Sequence, residues 1–335
     1  MPWLSPLSNP LGGHFWTLRP YLSRRYLAQR FAWPFTSVRG AGPPEPPRVW
    51  EGEINDAPWG VVRLSGLLHA PEGAKSLLII VHGLGGHAES FYLEPAVWEA
   101  AVRGWACLRL NMRGADCSGE DFYHAALTAD LHVALASPEL TDFDAIYVLG
   151  YSLGGHIALR LATEALDTRV RSVASVCAPI DLARSAWAID RPASFPYRQY
   201  VLGHLKATYV PVARRRSLTT PPLEQVLRAR TLRTWDQSTV IPRFGFADPD
   251  DYYGRASAAG RLNELRVPAL LVNTEHDPMV PAATVRPALI GGAAKLDVRW
   301  LRSGGHVGFP LDLDLGEPGP HGLEPQILSW LENAK

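Results

Sequence analysis

The residue best suited to covalent chemistry in this chain lies in a short glycine-rich turn. Ser152 occupies the centre of a G-x-S-x-G run that follows a strand-like apolar stretch and precedes a helix-like one. A turn of this kind, known as a nucleophile elbow, exposes the serine hydroxyl above the carboxyl edge of a sheet, at the positive end of a helix. The pattern predicts Ser152 as a nucleophile, and a simple tight turn is the alternative.

A base and an acid follow later in the chain, in the order that such a serine requires. His306 lies in a glycine-rich loop after one strand-like stretch, and Asp277 lies in the loop after the preceding stretch. Since parallel strands end at one edge of a sheet, we expect both loops beside the elbow. His306 would take the proton of Ser152, and Asp277 would fix the imidazole tautomer. Glu275 is the alternative acid.

A second glycine-rich run, at residues 82–86, follows the first wholly apolar stretch. Such a loop presents backbone N–H groups, so we expect the amides of Leu84 and Leu153 to form an oxyanion hole. A phosphate-binding loop is the alternative, but the run lacks the spacing of a Walker or dinucleotide motif. His82 is expected to brace the loop rather than react. No spacing typical of a metal site occurs, so neither a metal nor a cofactor is expected.

Strand-like and helix-like stretches alternate from about residue 60 onward. Strands are predicted at 61–64, 77–81, 106–110, 145–149, 173–176, 269–272 and 298–301, and helices at 94–103, 127–136, 155–165 and 283–290. Wholly apolar runs suit strands that are buried on both faces of a parallel sheet. The fold class is therefore predicted as α/β: an α/β-hydrolase fold with a mostly parallel sheet and helices on both faces.

Two segments interrupt this alternation. Residues 1–45 are rich in Pro, Trp and Arg and are predicted to form an N-terminal arm, with the hydrolase domain spanning 46–335. Within the arm, residues 21–31 suit a basic amphipathic helix, which would lie on a membrane surface or pack against its own domain. Residues 182–266 are predicted to form a lid inserted in the domain. Its aromatic residues are expected to line an acyl pocket, or alternatively to pack the insertion onto the sheet: Trp187, Phe195, Tyr197, Tyr200 and Tyr209.

Composition narrows the choice of partners. The 335 residues contain 33 Lys plus Arg and 33 Asp plus Glu, so the net charge gives no preference for nucleic acid or anionic lipid. No apolar run reaches membrane-spanning length. The three cysteines are too few for a disulfide framework, and the N-terminus does not match a signal peptide, so a cytoplasmic location is expected.

Several motif blocks together are similar to the YheT-like family of α/β hydrolases, whose eukaryotic relatives act on lipids. The blocks are 82–86, Arg113-Gly114, Tyr123-His124, 150–155, Asp251-Tyr252-Tyr253, His276-Asp277-Pro278 and 304–309, with a fainter match at Asn9-Pro10. The resemblance implies hydrolysis of short- to medium-chain or acylglycerol-like carboxylic esters, with a small ester or lipid as substrate. It places the triad on Ser152, Asp277 and His306. The sequence after Asn9-Pro10 departs from the family pattern, which weakens any transfer of substrate preference.

Two other classes of function remain open at this point. The same triad serves thioester hydrolysis, amide hydrolysis and acyl transfer to an alcohol. A protein with this fold can also act as a binding module, although all three triad positions here carry suitable side chains.

Overall fold

An eight-stranded sheet forms the centre of the computed structural model, which describes residues 8–27, 46–57, 59–218 and 221–334. The strands are β1 (Arg48–Asp56), β2 (Gly60–His69), β3 (Ser76–Val81), β4 (Ala106–Asn111), β5 (Ala145–Tyr151), β6 (Val170–Val176), β7 (Ala269–Thr274) and β8 (Leu296–Leu301). Their order across the sheet is β1-β2-β4-β3-β5-β6-β7-β8. The β1–β2 and β2–β4 pairs are antiparallel and the other pairs are parallel. The predicted α/β class and mostly parallel sheet are confirmed.

Helices surround the sheet. They are α1 (Pro10–Leu27), α2 (Glu94–Val102), α3 (Ala129–Ala136), α4 (Leu153–Leu161), α5 (Leu182–Asp190), α6 (Phe195–Arg215), α7 (Leu223–Leu227), α8 (Leu232–Ser238), α9 (Val240–Phe244), α10 (Pro249–Ala256), α11 (Ala282–Val285) and α12 (Leu323–Asn333). In β3, Leu77 and Ile79 belong to one apolar cluster, while Leu78 and Ile80 belong to another. Since successive side chains of a strand point to opposite faces, the sheet is covered on both sides.

All seven predicted strands are present, but β1 was missed. Five of the nine residues in this edge strand are charged or polar, and Trp50 is its one buried side chain. An antiparallel edge strand needs only one partner and little burial, so it lacks the apolar run by which central parallel strands are recognised.

Among the described residues, six α-helices, α5 to α10, lie between β6 and β7 and are called the inserted helices below. They occupy the interval in which the sequence departs from the β/α alternation. Helix α5 contacts α6, α8 and α10, so the inserted helices pack on one another.

Helix α1 corrects the prediction for the arm. It begins at Pro10 rather than at residue 21, and residues 28–31 of the predicted helix lie outside the described part of the chain. A Cβ on Gly13 would lie 1.8 Å from the carbonyl oxygen of His276, and one on Gly305 would lie 2.2 Å from that of Gly13. These glycines let the first turns of α1 pack tightly against the loops that follow β7 and β8. No helix within the described residues is both long and apolar enough to cross a membrane.

Candidate active site

Ser152 stands at a sharp turn between β5 and α4. Its backbone has φ 52° and ψ −121°, a conformation that costs on the order of 1–3 kcal/mol for a residue with a side chain. The flanking glycines make this turn possible. A Cβ on Gly150 would lie 2.1 Å from the carbonyl oxygen of Gly154, and one on Gly154 would lie 2.2 Å from that of Val81. The strand–turn–helix context predicted from the sequence is therefore present.

The three residues predicted as a triad lie in direct contact. The Oγ atom of Ser152 is 2.9 Å from Nε2 of His306, and Nδ1 of His306 is 2.8 Å from Oδ2 of Asp277. Because a carboxylate only accepts hydrogen bonds, Nδ1–H donates to Asp277 and Nε2 keeps the lone pair that faces the serine hydroxyl. His306 and Asp277 are buried, and Ser152 is partly exposed.

Two carboxylates compete for the role of acid, and their surroundings separate them. The second oxygen of Asp277, Oδ1, accepts hydrogen bonds from the amides of Met279 (2.8 Å) and Val280 (2.9 Å). These bonds hold the carboxylate in position while Oδ2 faces the imidazole. Glu275 instead pairs with the guanidinium of Arg286. The geometry thus brings Asp277, and not Glu275, to the histidine.

Two tyrosines brace the glycine-rich loop that follows β3. The amide of Gly83 donates to the hydroxyl of Tyr92 (2.8 Å), and that of Gly85 donates to the hydroxyl of Tyr123 (3.0 Å). Burial raises the pKa of Tyr92 to about 12 and also raises that of Tyr123, so both phenols stay protonated. Sequence reasoning missed both roles, because nothing local to either tyrosine indicates the loop that it contacts.

The backbone amides of Leu84 and Leu153, which are predicted to form the oxyanion hole, have no such tyrosine acceptor in the part of the chain that the structure describes. Leu84 and Leu153 both line the cavity that contains Ser152. Neither amide donates to a backbone or side-chain acceptor within the described residues outside regular secondary structure. Leu153 is also the first residue of α4, where a backbone N–H has no partner within its own helix.

His82 braces its loop, as predicted. The amide of Met112 donates to Nε2 of the imidazole at 3.2 Å, so Nδ1 carries the hydrogen and donates to the carbonyl of Gly83 at 2.8 Å. Burial lowers the pKa of His82 to about 4, so it remains neutral. A neutral imidazole with both nitrogens occupied has no lone pair available for reaction.

Helix α1 supplies a contact to the loop of His306 that the sequence did not predict. The backbone amide of His306 donates to Oγ1 of Thr17 at 2.7 Å, and this hydroxyl donates to the carbonyl of Gly13 at 2.8 Å. The neighbouring His14 forms a 2.5 Å hydrogen bond with the hydroxyl of Tyr197 on α6. The N-terminal helix therefore joins the histidine loop to the inserted helices.

One set of side chains near the triad could in principle hold a metal ion. Ligand atoms of Cys177, Asp277 and His306 lie within 4.8 Å of one another, and no other such set occurs within the described residues. The Cys177 thiol, however, donates to the carbonyl of Gly305, and burial raises its pKa well above the usual value. A protonated thiol is a poor ligand, and the hydrogen bonds given above occupy both oxygens of Asp277, so the set does not fit a metal.

A cavity of about 390 Å³ opens above Ser152, between the sheet edge and the inserted helices. Of the five aromatic residues predicted to line it, only Tyr200 does so. Trp187 and Phe195 are exposed, and Tyr197 and Tyr209 are buried in packing contacts, so for these four the pocket prediction is wrong. The inserted helices instead contribute Trp235, Tyr252 and Tyr253 to the cavity wall.

Comparison with known proteins agrees with this fold. A family model described as the alpha/beta hydrolase fold matches residues 76–310. The chain therefore belongs to the α/β-hydrolase family, which is a family of hydrolases.

Individual relatives confirm the YheT-like resemblance within this family. The chain is 31% identical to YheT of Escherichia coli strain K12, provisionally named an esterase, over 77% of this chain and 75% of that protein. It is 28% identical to a monoacylglycerol lipase of Saccharomyces cerevisiae, over 71% of this chain and 56% of that protein. The solved structure of 2,6-dihydroxy-pseudo-oxynicotine hydrolase matches with a TM-score of 0.52 at 19% identity, covering 78% of this chain and 63% of that one, and shows the shared fold.

Proposed function

We propose that this protein hydrolyses carboxylic esters through an acyl-enzyme formed on Ser152. The observation that carries the proposal is the continuous contact from the serine hydroxyl through His306 to Asp277, at the base of a cavity. A neutral imidazole with its lone pair toward a serine hydroxyl is the arrangement that general-base activation of that hydroxyl requires.

The first half of the reaction forms the acyl-enzyme. Nε2 of His306 takes the hydroxyl proton while Oγ of Ser152 bonds to the ester carbonyl carbon, and the carbonyl oxygen becomes an oxyanion. We assign the amides of Leu84 and Leu153 as the donors to this oxyanion. The bond to the leaving oxygen then breaks, and the imidazolium gives its proton to the departing alcohol.

Water completes the cycle by the same route. His306 takes a proton from a water molecule while the water oxygen bonds to the acyl carbon. The second tetrahedral intermediate then collapses and releases Oγ of Ser152. The imidazolium returns the proton to Oγ, so no proton is gained or lost by the site. Asp277 stays ionised throughout and stabilises the imidazolium. Every step is carried by side chains and amides of the chain, with no cofactor.

The cavity and the relatives support short- to medium-chain or acylglycerol-like esters as substrates. A volume of about 390 Å³ falls within the range of small-molecule sites, and the wall between Ser152 and the inserted helices is largely apolar. The esterase and lipase names of the relatives point to the same class. A cytoplasmic location also belongs to this proposal, and the absence of disulfides among the three cysteines is consistent with a reducing compartment.

Matched substrates test the proposed reaction against its alternatives. An ester, a thioester and an anilide with the same acyl chain, and the ester with added glycerol as acyl acceptor, separate hydrolysis from acyl transfer. We expect the highest kcat/KM on the ester, with free acid as the main product, and no turnover by Ser152→Ala. A higher kcat/KM on the thioester or anilide, or transfer to glycerol exceeding hydrolysis, would overturn the assignment to ester hydrolysis.

A further inference from the structure

One carboxyl group on the cavity wall is not explained by the triad. Asp236 lies on α8, and it lines the same cavity as Ser152. Glu89 is the other acidic residue among the described cavity-lining residues, and it is exposed to solvent. Asp236 is partly buried and faces a wall that is largely apolar.

Only one oxygen of this carboxyl group is paired. The hydroxyl of Tyr253, on α10, donates to Oδ2 of Asp236 at 2.6 Å. The other oxygen, Oδ1, has no hydrogen-bond partner within the described part of the chain, and it is not among the polar atoms sealed from solvent. An unpaired carboxyl oxygen, on a residue that lines a largely apolar cavity, gains free energy from any hydrogen-bond donor that reaches it.

The charges around Asp236 leave its Oδ1 atom without a cationic partner among the residues that the structure describes. Burial raises the pKa of Asp236 to about 7, the negative charge of Asp190 acts in the same direction, and the bond from Tyr253 opposes both. No cationic side chain within the described residues contributes to this shift. Asp190 itself accepts from the amides of Leu232 and Arg233, so its own oxygens are occupied. Near neutral pH the group is therefore able both to donate and to accept a hydrogen bond.

We propose that Asp236, held by Tyr253, forms a polar subsite that binds a hydroxyl group of the substrate away from the scissile carbonyl. A hydroxyl both donates and accepts, so it matches a carboxyl group that is open on one side and not fully ionised. The apolar wall then accommodates the hydrocarbon between the ester and this hydroxyl. The inference rests on the proposed ester hydrolysis and narrows its substrates to esters that carry a free hydroxyl.

Such a hydroxyl has two possible sources, either on the acyl chain or on the alcohol part of the ester. Two pairs of substrates distinguish them. The first pair compares a p-nitrophenyl ester of an unsubstituted fatty acid with its ω-hydroxy counterpart. The second compares an ethyl ester with the ethylene glycol monoester of the same acid. In each pair the measured quantity is the ratio of kcat/KM for the hydroxylated ester to that for the plain ester.

We expect this ratio to exceed one in at least one pair for the wild-type protein. In Asp236→Leu it should fall by roughly 3- to 10-fold, the change expected when one neutral hydrogen bond is lost. Asp236→Asn, which keeps an oxygen acceptor and an N–H donor at the same position, should retain most of the ratio. Tyr253→Phe should lower it, because the carboxyl group loses the bond that orients it. The matched control is Asp250→Asn, which removes an exposed carboxylate paired with Arg233 outside the cavity and should leave the ratio at its wild-type value.

Several outcomes would overturn the subsite. One is an equal ratio in wild type, Asp236→Leu and Tyr253→Phe. Another is a uniform loss on plain and hydroxylated esters, which would make the Asp236–Tyr253 bond a packing contact between helices. A larger preference for an ω-ammonium ester, lost in Asp236→Asn, would reassign the site to cations. If Asp236→Leu does not fold, Tyr253→Phe and Asp236→Asn decide the question alone. Failure of the proposed function looks different, since the wild-type protein would then hydrolyse neither member of either pair.

Discussion

The sheet edge and the inserted helices form opposite walls of one cavity, and their polar groups are arranged differently. At the sheet edge, hydrogen bonds occupy both oxygens of Asp277 and both nitrogens of His306. Across the cavity the wall is mainly apolar, and Asp236 leaves one oxygen open. A rigid edge suits a reaction that tolerates little displacement, whereas an apolar wall with one open polar group suits selection among substrates.

A buried charge network holds the two walls together. Arg113, fully buried after β4, pairs with Asp56, Asp121 and Asp130. Arg243 on α9 pairs with two of these carboxylates, Asp56 and Asp121. The inserted helices are thereby anchored to the sheet domain by ion pairs whose separation would leave charges unpaired in the interior.

Apart from replacement of Ser152 itself, the largest loss of activity is expected when the acid, Asp277, is changed. Asp277→Asn leaves the size of the side chain intact but no longer holds His306 in the tautomer that presents its lone pair to Ser152. We expect kcat to fall by roughly 10⁴-fold, as when the acid of a serine triad is replaced by its amide. Steady-state kinetics on one ester, with circular dichroism to verify folding, measures the change.

The matched control is Glu275→Gln, which changes the neighbouring carboxylate that pairs with Arg286. It should change kcat by far less than Asp277→Asn. A larger loss of kcat in Glu275→Gln than in Asp277→Asn would assign the acid to Glu275 and contradict the assignment of Asp277.

Much of the sheet edge was predictable, because its signals are local. Strands buried on both faces produce apolar runs, and a glycine turn between strand and helix identifies Ser152. Chain order then points to His306 as the base and to Asp277 or Glu275 as the acid, and the contact with His306 decides for Asp277. The opposite wall gave no such signals. Asp236 acquires its role only from helices that meet in three dimensions, and Tyr209, although in the same insertion, packs against Phe122 instead of lining the cavity.

The first part of the N-terminal helix, before residue 21, was also beyond local reasoning, for a different reason. Its glycines, Gly12 and Gly13, are unfavourable in a helix interior, so the sequence does not indicate a helix there. The structure shows why Gly13 is required, since any side chain would collide with the loop that carries Asp277. A tertiary contact outweighs helix propensity at this position.

An intermediate effect is expected from the contact between α1 and the catalytic loop. Thr17→Val would leave the buried amide of His306 without its acceptor, and the histidine would lose part of its alignment with Ser152. We expect kcat to fall by about 10-fold and at most about 100-fold, the cost of a displacement of 1 Å, with KM nearly unchanged. The second-order rate of labelling by a fluorophosphonate should fall in parallel.

Thr17→Ser keeps the hydroxyl and should restore both rates, which a general loss of packing would not explain. Thr208→Val serves as the control, because within the described part of the chain that hydroxyl bonds only to carbonyls of its own helix. If Thr17→Ser were as slow as Thr17→Val, or if only thermal stability changed, the hydroxyl would have no positioning role.

The smallest effect is expected on the apolar wall. Tyr200 and Trp187 are both exposed aromatic residues of the inserted helices, but only Tyr200 lines the cavity. Each buried methylene contributes about 0.8 kcal/mol, so Tyr200→Ala should change the relative kcat/KM of adjacent chain lengths by a few-fold. A series of p-nitrophenyl esters from acetate upward measures this shift, and acetate should be affected least.

Trp187→Ala provides the comparison for this series. We expect it to leave the chain-length profile unchanged, since Trp187 stacks with Arg191 away from the cavity. Equal shifts in both variants, or equal losses at every chain length in Tyr200→Ala, would show that the inserted helices do not select the acyl chain.

The most direct measurement of the central claim is covalent capture of the nucleophile. The wild-type protein is treated with a fluorophosphonate, and the adduct is located by intact mass and peptide mapping. We expect one adduct per chain, on Ser152, with loss of ester hydrolysis in proportion to labelling, and neither labelling nor hydrolysis in Ser152→Ala. Full labelling of Ser152→Ala, or ester hydrolysis that survives the change, would contradict the assignment of Ser152 as the nucleophile.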